Sequence, residues 1–226
     1  IGQMHARNID LHEKTTLSCV YDVNSEFAEI ISRELNVSSV QNVEEIFNNN
    51  EIDAVLVSSP TNTHIDFIEK SVAAKKPVLC EKPIDLDIDK VNQCYERLKG
   101  NTIPIQLGFN RRFDPGHHSI KKDLEKGKIG RLEKIIITSR DPAPPSKTYL
   151  KSSGGIFRDM MIHDFDLCRY YLNNDEISEI SSSVSSFENF YKKIKDHELA
   201  TVTMKSKKGV ICVITNSRHC SFGYDQ

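Results

Sequence analysis

Residues 53–83, DAVLVSSPTNTHIDFIEKSVAAKKPVLCEKP, decide the fold of this chain. The continuous apolar run at 53–57 is typical of a strand buried on both faces, and Ser58-Ser59-Pro60 ends it. A helix is predicted from His64 to Ala74, and a second strand from Pro77 to Cys80. This order of strand, helix and strand predicts a unit with two parallel strands.

The same alternation runs through residues 1–108 and predicts a Rossmann-type doubly wound parallel sheet. Phe27, Ile31 and Leu35, for example, have the spacing of one helical face. The chain opens on a helix, so the first strand of such a sheet is expected to precede Ile1. Strands are predicted at 16–21, 37–40, 53–57, 77–80 and 103–107, and helices from residue 1 and at 25–35, 43–49, 64–74 and 87–98.

The pattern changes near Gly108, and residues 109–226 are predicted to form an α+β domain with a largely antiparallel open sheet. Lys207-Lys208-Gly209 has the composition of a hairpin turn between two of its strands. The uncovered sheet face is a natural subunit interface, which predicts a homo-oligomer, either a dimer or a tetramer. The chain ends at Gln226 without a closing strand or helix, so further sequence is expected after this residue. Strands are predicted at 132–139, 177–187, 199–205 and 210–217, and helices at 119–126 and 157–172.

Composition limits the classes of partner. The 226 residues include 30 basic and 32 acidic side chains, a net charge of -2, so no general attraction to nucleic acid or anionic membranes is expected. A small molecule is the expected partner. Six cysteines occur without a C-x-x-C pair, which favours free thiols in a reducing cytoplasm over a disulfide or metal framework. No apolar run approaches the roughly 20 residues that span a bilayer, so a soluble cytoplasmic protein is expected.

Two residues fit part of a dinucleotide-binding fingerprint. In that fingerprint a glycine-rich turn leads into a helix that holds the pyrophosphate, and an acidic residue about 20 positions later binds the ribose. Gly2 and Asp22 have the spacing of the last glycine and the acid. Two residues alone can also have this spacing by chance. Asp22 would repel a 2′-phosphate, which favours NAD over NADP.

Glu81-Lys82-Pro83 follows a predicted parallel strand, at the edge where open α/β sheets bind their ligands. A lysine there can donate to a substrate hydroxyl or to a cofactor amide. Pro83 fixes the backbone direction, and its peptide bond is a candidate for the cis form. The alternative is a solvated lysine in a charged loop, and the position at a strand end disfavours it.

Asp159 and His163 lie four residues apart after the Gly154-Gly155 turn. On a helix this spacing brings both side chains to one face. A carboxylate can orient an imidazole and stabilise its cation, and an imidazole accepts a proton near neutral pH. The pair therefore predicts a general base with its orienting partner, although such pairs also occur on helix surfaces without any function.

Several separated blocks together resemble the Gfo/Idh/MocA family of NAD(P)-dependent sugar and polyol oxidoreductases, and most closely its inositol-oxidising members. The match spans nearly the whole chain and includes three catalytic positions in the family's order. The blocks are Ser59-Pro60-Thr61-Asn62-Thr63-His64, Glu81-Lys82-Pro83, Gly108-Phe109-Asn110-Arg111-Arg112-Phe113-Asp114, Ser139-Arg140-Asp141-Pro142-Ala143-Pro144-Pro145, the segment from Ser153 to Asp166, Asn216-Ser217-Arg218 and Gly223-Tyr224-Asp225-Gln226.

The resemblance implies oxidation of a cyclic polyol, myo-inositol in the first instance, to a ketone with NAD as the cofactor. His163 would take the hydroxyl proton, Asp159 would orient His163, and Lys82 would hold the hydroxyl near the cofactor. The implied cofactor-binding residues are Gly2, Asp22, Ser59, Pro60, Thr61, Asn62, His64, Glu81 and Lys82. The implied substrate-binding residues are Lys82, Arg112, Asp141, Asp159, His163 and Tyr224.

Some alternatives remain open at this point. Arg112 could equally be a structural ion-pair partner, Asp141 a turn-forming residue and Tyr224 a packing residue. The substrate could be another inositol isomer or a sugar. Because the first two glycines of the fingerprint are absent, the chain could also be a non-catalytic binding or interaction subunit.

Overall fold

The computed structural model describes all 226 residues, which form two compact units, Ile1–Gly108 and Phe109–Gln226. The sequence predicts an NAD-binding domain at 1–108 and a substrate-binding and oligomerisation domain at 109–226, and these roles stay predictions. The helices are α1 (Gly2–Leu11), α2 (Ser25–Leu35), α3 (Glu44–Asn48), α4 (His64–Ala73), α5 (Ile88–Leu98), α6 (Pro115–Glu125), α7 (Lys147–Leu150), α8 (Ile162–Leu172) and α9 (Asn189–Ile194). The strands are β1 (Cys19–Val20), β2 (Ser38–Ser39), β3 (Val55–Val57), β4 (Val78–Cys80), β5 (Ile105–Leu107), β6 (Lys134–Arg140), β7 (Ile177–Ser185), β8 (Leu199–Ser206) and β9 (Ile211–Ser217).

The first unit contains parallel strands throughout, as the alternating pattern predicts. Strands β3, β4 and β5 are neighbours in that order, and β1 pairs with β2. Val57, Ile68, Val78 and Cys80 form its buried cluster. The strands are two or three residues long, shorter than predicted, because only part of each predicted run completes the ladder of hydrogen bonds. Within each of these two sheets, the carboxyl ends of the strands lie at one edge.

The second unit is built on a four-stranded sheet with the order β6-β9-β8-β7. The β6 and β9 strands are parallel and the other two pairs are antiparallel, which confirms the prediction of a largely antiparallel sheet. Alternate residues of β6, β8 and β9 are buried against α8 and its preceding turn. This alternation is the period of a strand with one covered face.

Local structure differs from the predictions at four helical segments. Helix α6 begins four residues earlier than predicted, because Asp114 caps it and Pro115 occupies its first position. The short helices α7 and α9 were not predicted, since neither is long enough to show a periodic pattern. The predicted helix 157–172 is continuous, but Phe157–Met161 is a π-helical turn and only Ile162–Leu172 is α-helical.

Two expectations from composition can be compared with the structure. All six cysteines are free, as predicted, and five of them are buried. Burial raises the pKa of the Cys80 thiol to about 12, with a smaller contribution from Glu81, so this thiol stays protonated. No helix combines the length and the apolar character that a membrane crossing requires.

Candidate active-site residues in the two units

The first turn of α1 lies beside the carboxyl ends of two strands in the first unit. A Cβ on Gly2 would lie 2.8 Å from the hydroxyl oxygen of Ser58, which is the residue directly after β3. On the next turn, His5 Nε2 lies 2.7 Å from Glu81 Oε1, directly after β4. The sequence thus brings the single matching glycine to the sheet edge where a dinucleotide binds.

The start of α1 fits an anionic cofactor group. Its N-cap is Ile1, which makes no side-chain hydrogen bond, and no acidic residue lies in its first turn. The first backbone N–H groups of a helix, together with its dipole, favour a phosphate. Asp22 is exposed after β1, where its Oδ1 accepts from Asn24 N at 2.8 Å. These residues fit a dinucleotide whose pyrophosphate meets α1 and whose ribose meets Asp22.

His64 is buried and ties together the two loops that carry the family motifs. Its Nδ1 lies 2.7 Å from the Pro83 carbonyl oxygen and its Nε2 lies 2.9 Å from that of Ser59. Both ring nitrogens are therefore occupied by backbone groups. His64 positions the loops, and a direct contact with a cofactor stays a prediction.

The remaining predicted cofactor residues of that loop lie at its surface. Ser59 Oγ is 2.6 Å from Thr63 Oγ1, and Thr63 Oγ1 donates to the Pro60 carbonyl at 2.7 Å. Pro60 and Asn62 are exposed and Thr61 is half-buried. Their backbone and side-chain groups face outward at the end of β3, where a ligand can reach them.

Lys82 follows β4 in a rigid setting. Its backbone N–H donates to Glu81 Oε2 at 3.2 Å, and the Lys82–Pro83 peptide bond is cis, as the sequence suggested. The Glu81 side chain also packs against Gly108, where a Cβ would lie 3.0 Å from Glu81 Oε2. Glu81 is thus held by His5 and by the Lys82 backbone N–H, and its contact with the cofactor stays a prediction.

Asp159 and His163 lie on the helical segment of the second unit, on either side of the change from π to α geometry. Asp159 belongs to the π turn and His163 to the first turn of α8, so the predicted single α-helix is corrected here. The Tyr149 hydroxyl donates to Asp159 Oδ1 at 2.7 Å. Turns of this π type often occur at functional sites.

The second oxygen of the same carboxylate faces a buried arginine. Arg218 NH1 lies 3.4 Å from Asp159 Oδ2, and NH2 lies 3.2 Å from Asp196 Oδ2. Asp159 therefore accepts from Tyr149 on one oxygen and is ion-paired on the other. These contacts fix the orientation of the carboxylate.

Asp164, the residue after His163, anchors the start of α8 in the core. It is fully buried and accepts from Ser139 Oγ at 2.9 Å and from Asn216 Nδ2 at 2.7 Å. Arg111 forms an ion pair with the same carboxylate. A buried carboxylate needs such partners, and together they hold the backbone that carries His163.

The three residues to which the sequence assigned two possible roles have different surroundings. Arg112 makes two hydrogen bonds to Asp166, at 2.7 and 2.5 Å, so the structural ion pair is present and a substrate contact stays a prediction. Burial raises the pKa of the Asp141 carboxyl; Arg218 opposes this rise. Tyr224 is 59% exposed, and its substrate contact stays a prediction.

Sequence reasoning assigned no role to Arg218, Asn216 or Ser139, although a signal for them exists. Each lies at an inward-facing position of a strand pattern. Asn216 and Arg218 continue the buried positions of Cys212 and Ile214, and Ser139 continues that of Ile137. A polar residue at a core position requires a buried partner. Tyr149 and Asp196, by contrast, lie outside any periodic pattern.

The sequence predicts no metal site, and the structure contains one group of side chains with ligand geometry. Glu188, Glu198 and His219 bring one ligand atom each to within 4.8 Å of one another. Glu198 is already bonded, because it accepts from Phe187 N at 2.6 Å and from Glu188 N at 2.8 Å. The group is explained as a hydrogen-bonded anchor.

Comparison with known proteins defines the class and then the family. Residues 1–109 match the oxidoreductase family with an NAD-binding Rossmann fold, and residues 117–226 match the GFO/IDH/MocA C-terminal domain. The class is an oxidoreductase that uses NAD, as predicted. The chain belongs to the GFO/IDH/MocA family.

Similar proteins cover the whole chain. Inositol 2-dehydrogenase of Rhizobium meliloti (strain 1021) is 37% identical over 226 residues, which are 100% of this chain and 68% of that protein. The crystal structure of a myo-inositol dehydrogenase from Corynebacterium glutamicum ATCC 13032 is 40% identical with a TM-score of 0.94, over 100% of this chain and 67% of that one. Scyllo-inositol dehydrogenase from Lactobacillus casei, solved with NAD(H) and scyllo-inositol, is 29% identical with a TM-score of 0.90, over 99% and 68% respectively.

Proposed function

We propose that this chain is an NAD-dependent inositol 2-dehydrogenase that oxidises myo-inositol to scyllo-inosose. Its similarity to inositol dehydrogenases over its full length supports the substrate class. The observation that carries the proposal is the Asp159 carboxylate, held by Tyr149 and Arg218 on the segment that leads into His163. A carboxylate fixed in this way fits the role of orienting a catalytic base.

The reaction removes one proton and one hydride from a secondary alcohol. His163 takes the hydroxyl proton, and the C–H bond breaks as the carbonyl bond forms. When bound, NAD supplies the acceptor for the hydride. Asp159 stabilises the imidazolium that results, and Lys82 donates to the reacting oxygen. The products are a ketone, NADH and a proton on His163.

Recognition of the polyol requires polar groups at several hydroxyls. Arg112, Asp141 and Tyr224 are proposed to supply them beside the catalytic residues. The Asp141 carboxyl is half-buried, and Arg218 and Asp159 act on its charge, so it belongs to the same polar surroundings as the catalytic carboxylate. A site that bonds each hydroxyl discriminates strongly against an analogue that lacks one.

Two further parts of the proposal concern the whole protein. The cytoplasm is the proposed location, supported by six free cysteines that a reducing compartment would preserve. A homo-oligomer is proposed to form through the exposed face of the sheet in the second unit. Ile136, which is 65% exposed at the centre of β6, supports this interface.

Turnover on a panel of polyols tests the function. NADH formation would be followed with NAD or NADP and with myo-inositol, scyllo-inositol and simple sugars, for this chain and for a form extended at its N-terminus. We expect oxidation of inositols with NAD. Turnover of sugars alone would reject the substrate assignment, and no turnover by either form would favour a non-catalytic subunit.

His163→Ala tests the assigned base. We expect kcat to fall by at least about 100-fold, the usual contribution of a positioned acid or base, while the dissociation constant for NAD is unchanged. The matched control is His12→Ala, because His12 is exposed on the first unit. A variant at His163 with wild-type kcat would exclude this residue as the base.

A further inference from the structure

Arg218 is a charged side chain without any solvent contact. Its exposed fraction is 0%, and it is the largest of the fully buried side chains. It follows β9 at an inward-facing position of the strand pattern, two residues after Asn216. Burying a guanidinium in this way is costly unless anionic partners compensate its charge.

Two carboxylates share this guanidinium. NH1 lies 3.4 Å from Asp159 Oδ2 and NH2 lies 3.2 Å from Asp196 Oδ2, while Nε donates to the His197 carbonyl at 3.4 Å. Asp196 is itself buried. Arg218 therefore links the catalytic helical segment to the chain just before β8.

Asp196 also holds the beginning of that helical segment. Its Oδ1 accepts from Ile156 N at 2.8 Å, directly after the Gly154-Gly155 turn. Gly155 has a φ of +82°, and a Cβ there would lie 2.8 Å from the same oxygen. One carboxylate thus fixes the helix start through Oδ1 and the arginine through Oδ2.

We propose that Arg218 is a positioning residue for the dehydrogenase reaction: shared between Asp196 and Asp159, it aims the Asp159 carboxylate at the catalytic histidine. The inference rests on the proposed function, in which Asp159 orients His163. Arg218 contacts neither substrate nor cofactor in this scheme. It acts through Asp159, opposite the hydrogen bond from Tyr149.

The geometry requires an arginine and not only a positive charge. The planar guanidinium presents separate N–H groups to the two carboxylates and a third to a carbonyl, whereas a lysine ammonium is a compact charge at one point. In Arg218→Lys we expect only one carboxylate to be paired. In Asp196→Asn the amide oxygen can still accept from Ile156 N, so the helix start is kept, but the guanidinium is left with Asp159 as its sole anionic partner.

Steady-state kinetics with deuterium at the reacting carbon of the inositol test this inference. For Asp196→Asn and Arg218→Lys we expect kcat to fall by about 10- to 100-fold, since a small misplacement of a reacting group can cost that much. The substrate isotope effect on kcat should increase, because the chemical step becomes slower, and the dissociation constant for NAD should be unchanged. Arg131→Gln is the control, since Arg131 is exposed and pairs with Glu133 in the same unit.

A merely structural role gives a different result. Loss of folded enzyme lowers kcat through the active fraction and leaves the isotope effect at its wild-type value, which would overturn the inference. Thermal unfolding of each variant measures that fraction. Asp196→Asn provides the test if Arg218→Lys does not fold.

A spectroscopic measurement separates this inference from the proposed function. The ring ¹H–¹⁵N signals of His163, assigned by their loss in His163→Gln, should shift in Asp196→Asn and not in Arg131→Gln. Absence of wild-type turnover together with this shift would reject the function and retain the positioning link. Wild-type turnover with unchanged His163 signals and unchanged kinetics in both variants would reject the link.

Discussion

At the scale of single residues, the Asp159 carboxylate has a different kind of partner on each oxygen. Tyr149 donates a neutral hydrogen bond to Oδ1, and Arg218 pairs with Oδ2 as a cation. The resemblance assigned Asp159 and His163 as a pair, but it gave no reason why the carboxylate should hold one orientation. Two residues outside its helix, Tyr149 in α7 and Arg218 after β9, set that orientation.

Tyr149→Phe removes one of these partners with little change in shape. We expect kcat to fall about tenfold, because a hydrogen bond to a charged group is worth about 1.5–3 kcal/mol. Burial, followed by the bond to Asp159, raises the pKa of the Tyr149 hydroxyl, so it remains a donor over the ordinary pH range. Steady-state kinetics would measure the change, with Tyr95→Phe as an exposed control. Equal kcat values for the two variants would contradict this role.

At the scale of elements, the turn before the catalytic segment depends on Gly155. A side chain there would adopt a φ of +82° and would also meet Asp196 Oδ1 at 2.8 Å. In Gly155→Ala we expect the free energy of unfolding to fall by about 1–3 kcal/mol from backbone strain, with an additional loss from the contact. Urea unfolding measures the sum of these two losses.

Gly127→Ala separates the two contributions. Gly127 also has a positive φ, +68°, but no atom lies within 4 Å of its added Cβ. Its variant should therefore show only the backbone cost. If Gly155→Ala destabilised the protein no more than Gly127→Ala, the close approach of Asp196 would be unimportant for stability.

Glu198 connects the start of β8 to the chain before α9. Burial alone would raise the pKa of this carboxyl, but N–H groups of Glu188 and Phe187 and the His219 ring outweigh it, and the net pKa is lowered. A group with a lowered pKa contributes stability above its unfolded value, and this contribution is lost as the pH falls through the folded pKa. Wild-type stability should thus decrease below about pH 4.5, the ordinary value for Glu.

Glu198→Gln tests this pH dependence. The variant should be less stable than the wild type at pH 7, and the difference should shrink as the pH falls below the unfolded pKa. Urea unfolding at pH 7 and at successively lower values measures it. A stability difference that stays constant across this range would show that the carboxylate charge is not involved.

At the scale of the whole molecule, the two faces of the second unit's sheet give opposite predictions for self-association. Ile136 and Ile180 are both 65% exposed. Ile136 pairs with Val213 on the open face, whereas Ile180 pairs with the buried Met204 and therefore faces the helix side. Ile136→Glu should dissociate the proposed oligomer, and Ile180→Glu should not.

Sedimentation equilibrium measures this difference at matched protein concentrations. A charge in the centre of an apolar interface has no compensating partner, so assembly should weaken strongly. If both variants assembled like the wild type, the open face would not be the interface. If only Ile180→Glu dissociated, the helix side of the sheet edge would be the interface instead.

The sequence by itself determined the sheet of each unit and the order of its longer helices and strands. Alternating strand and helix patterns predicted the parallel sheet of the first unit, and strand-like runs with the Lys207-Lys208-Gly209 turn predicted the largely antiparallel sheet of the second. These patterns are local, because burial of one face or both sets the period directly. The motifs around Lys82 and His163 also indicated the family, which the comparison confirms.

Only the tertiary structure decided which polar residues support the catalytic carboxylate. Arg218 meets both Asp159 and Asp196 because the open end of the β8–β9 hairpin lies beside the helix start, and no periodic pattern specifies that approach. A buried charge is stable only where the fold supplies its partners, so its role becomes visible only when the chain is folded.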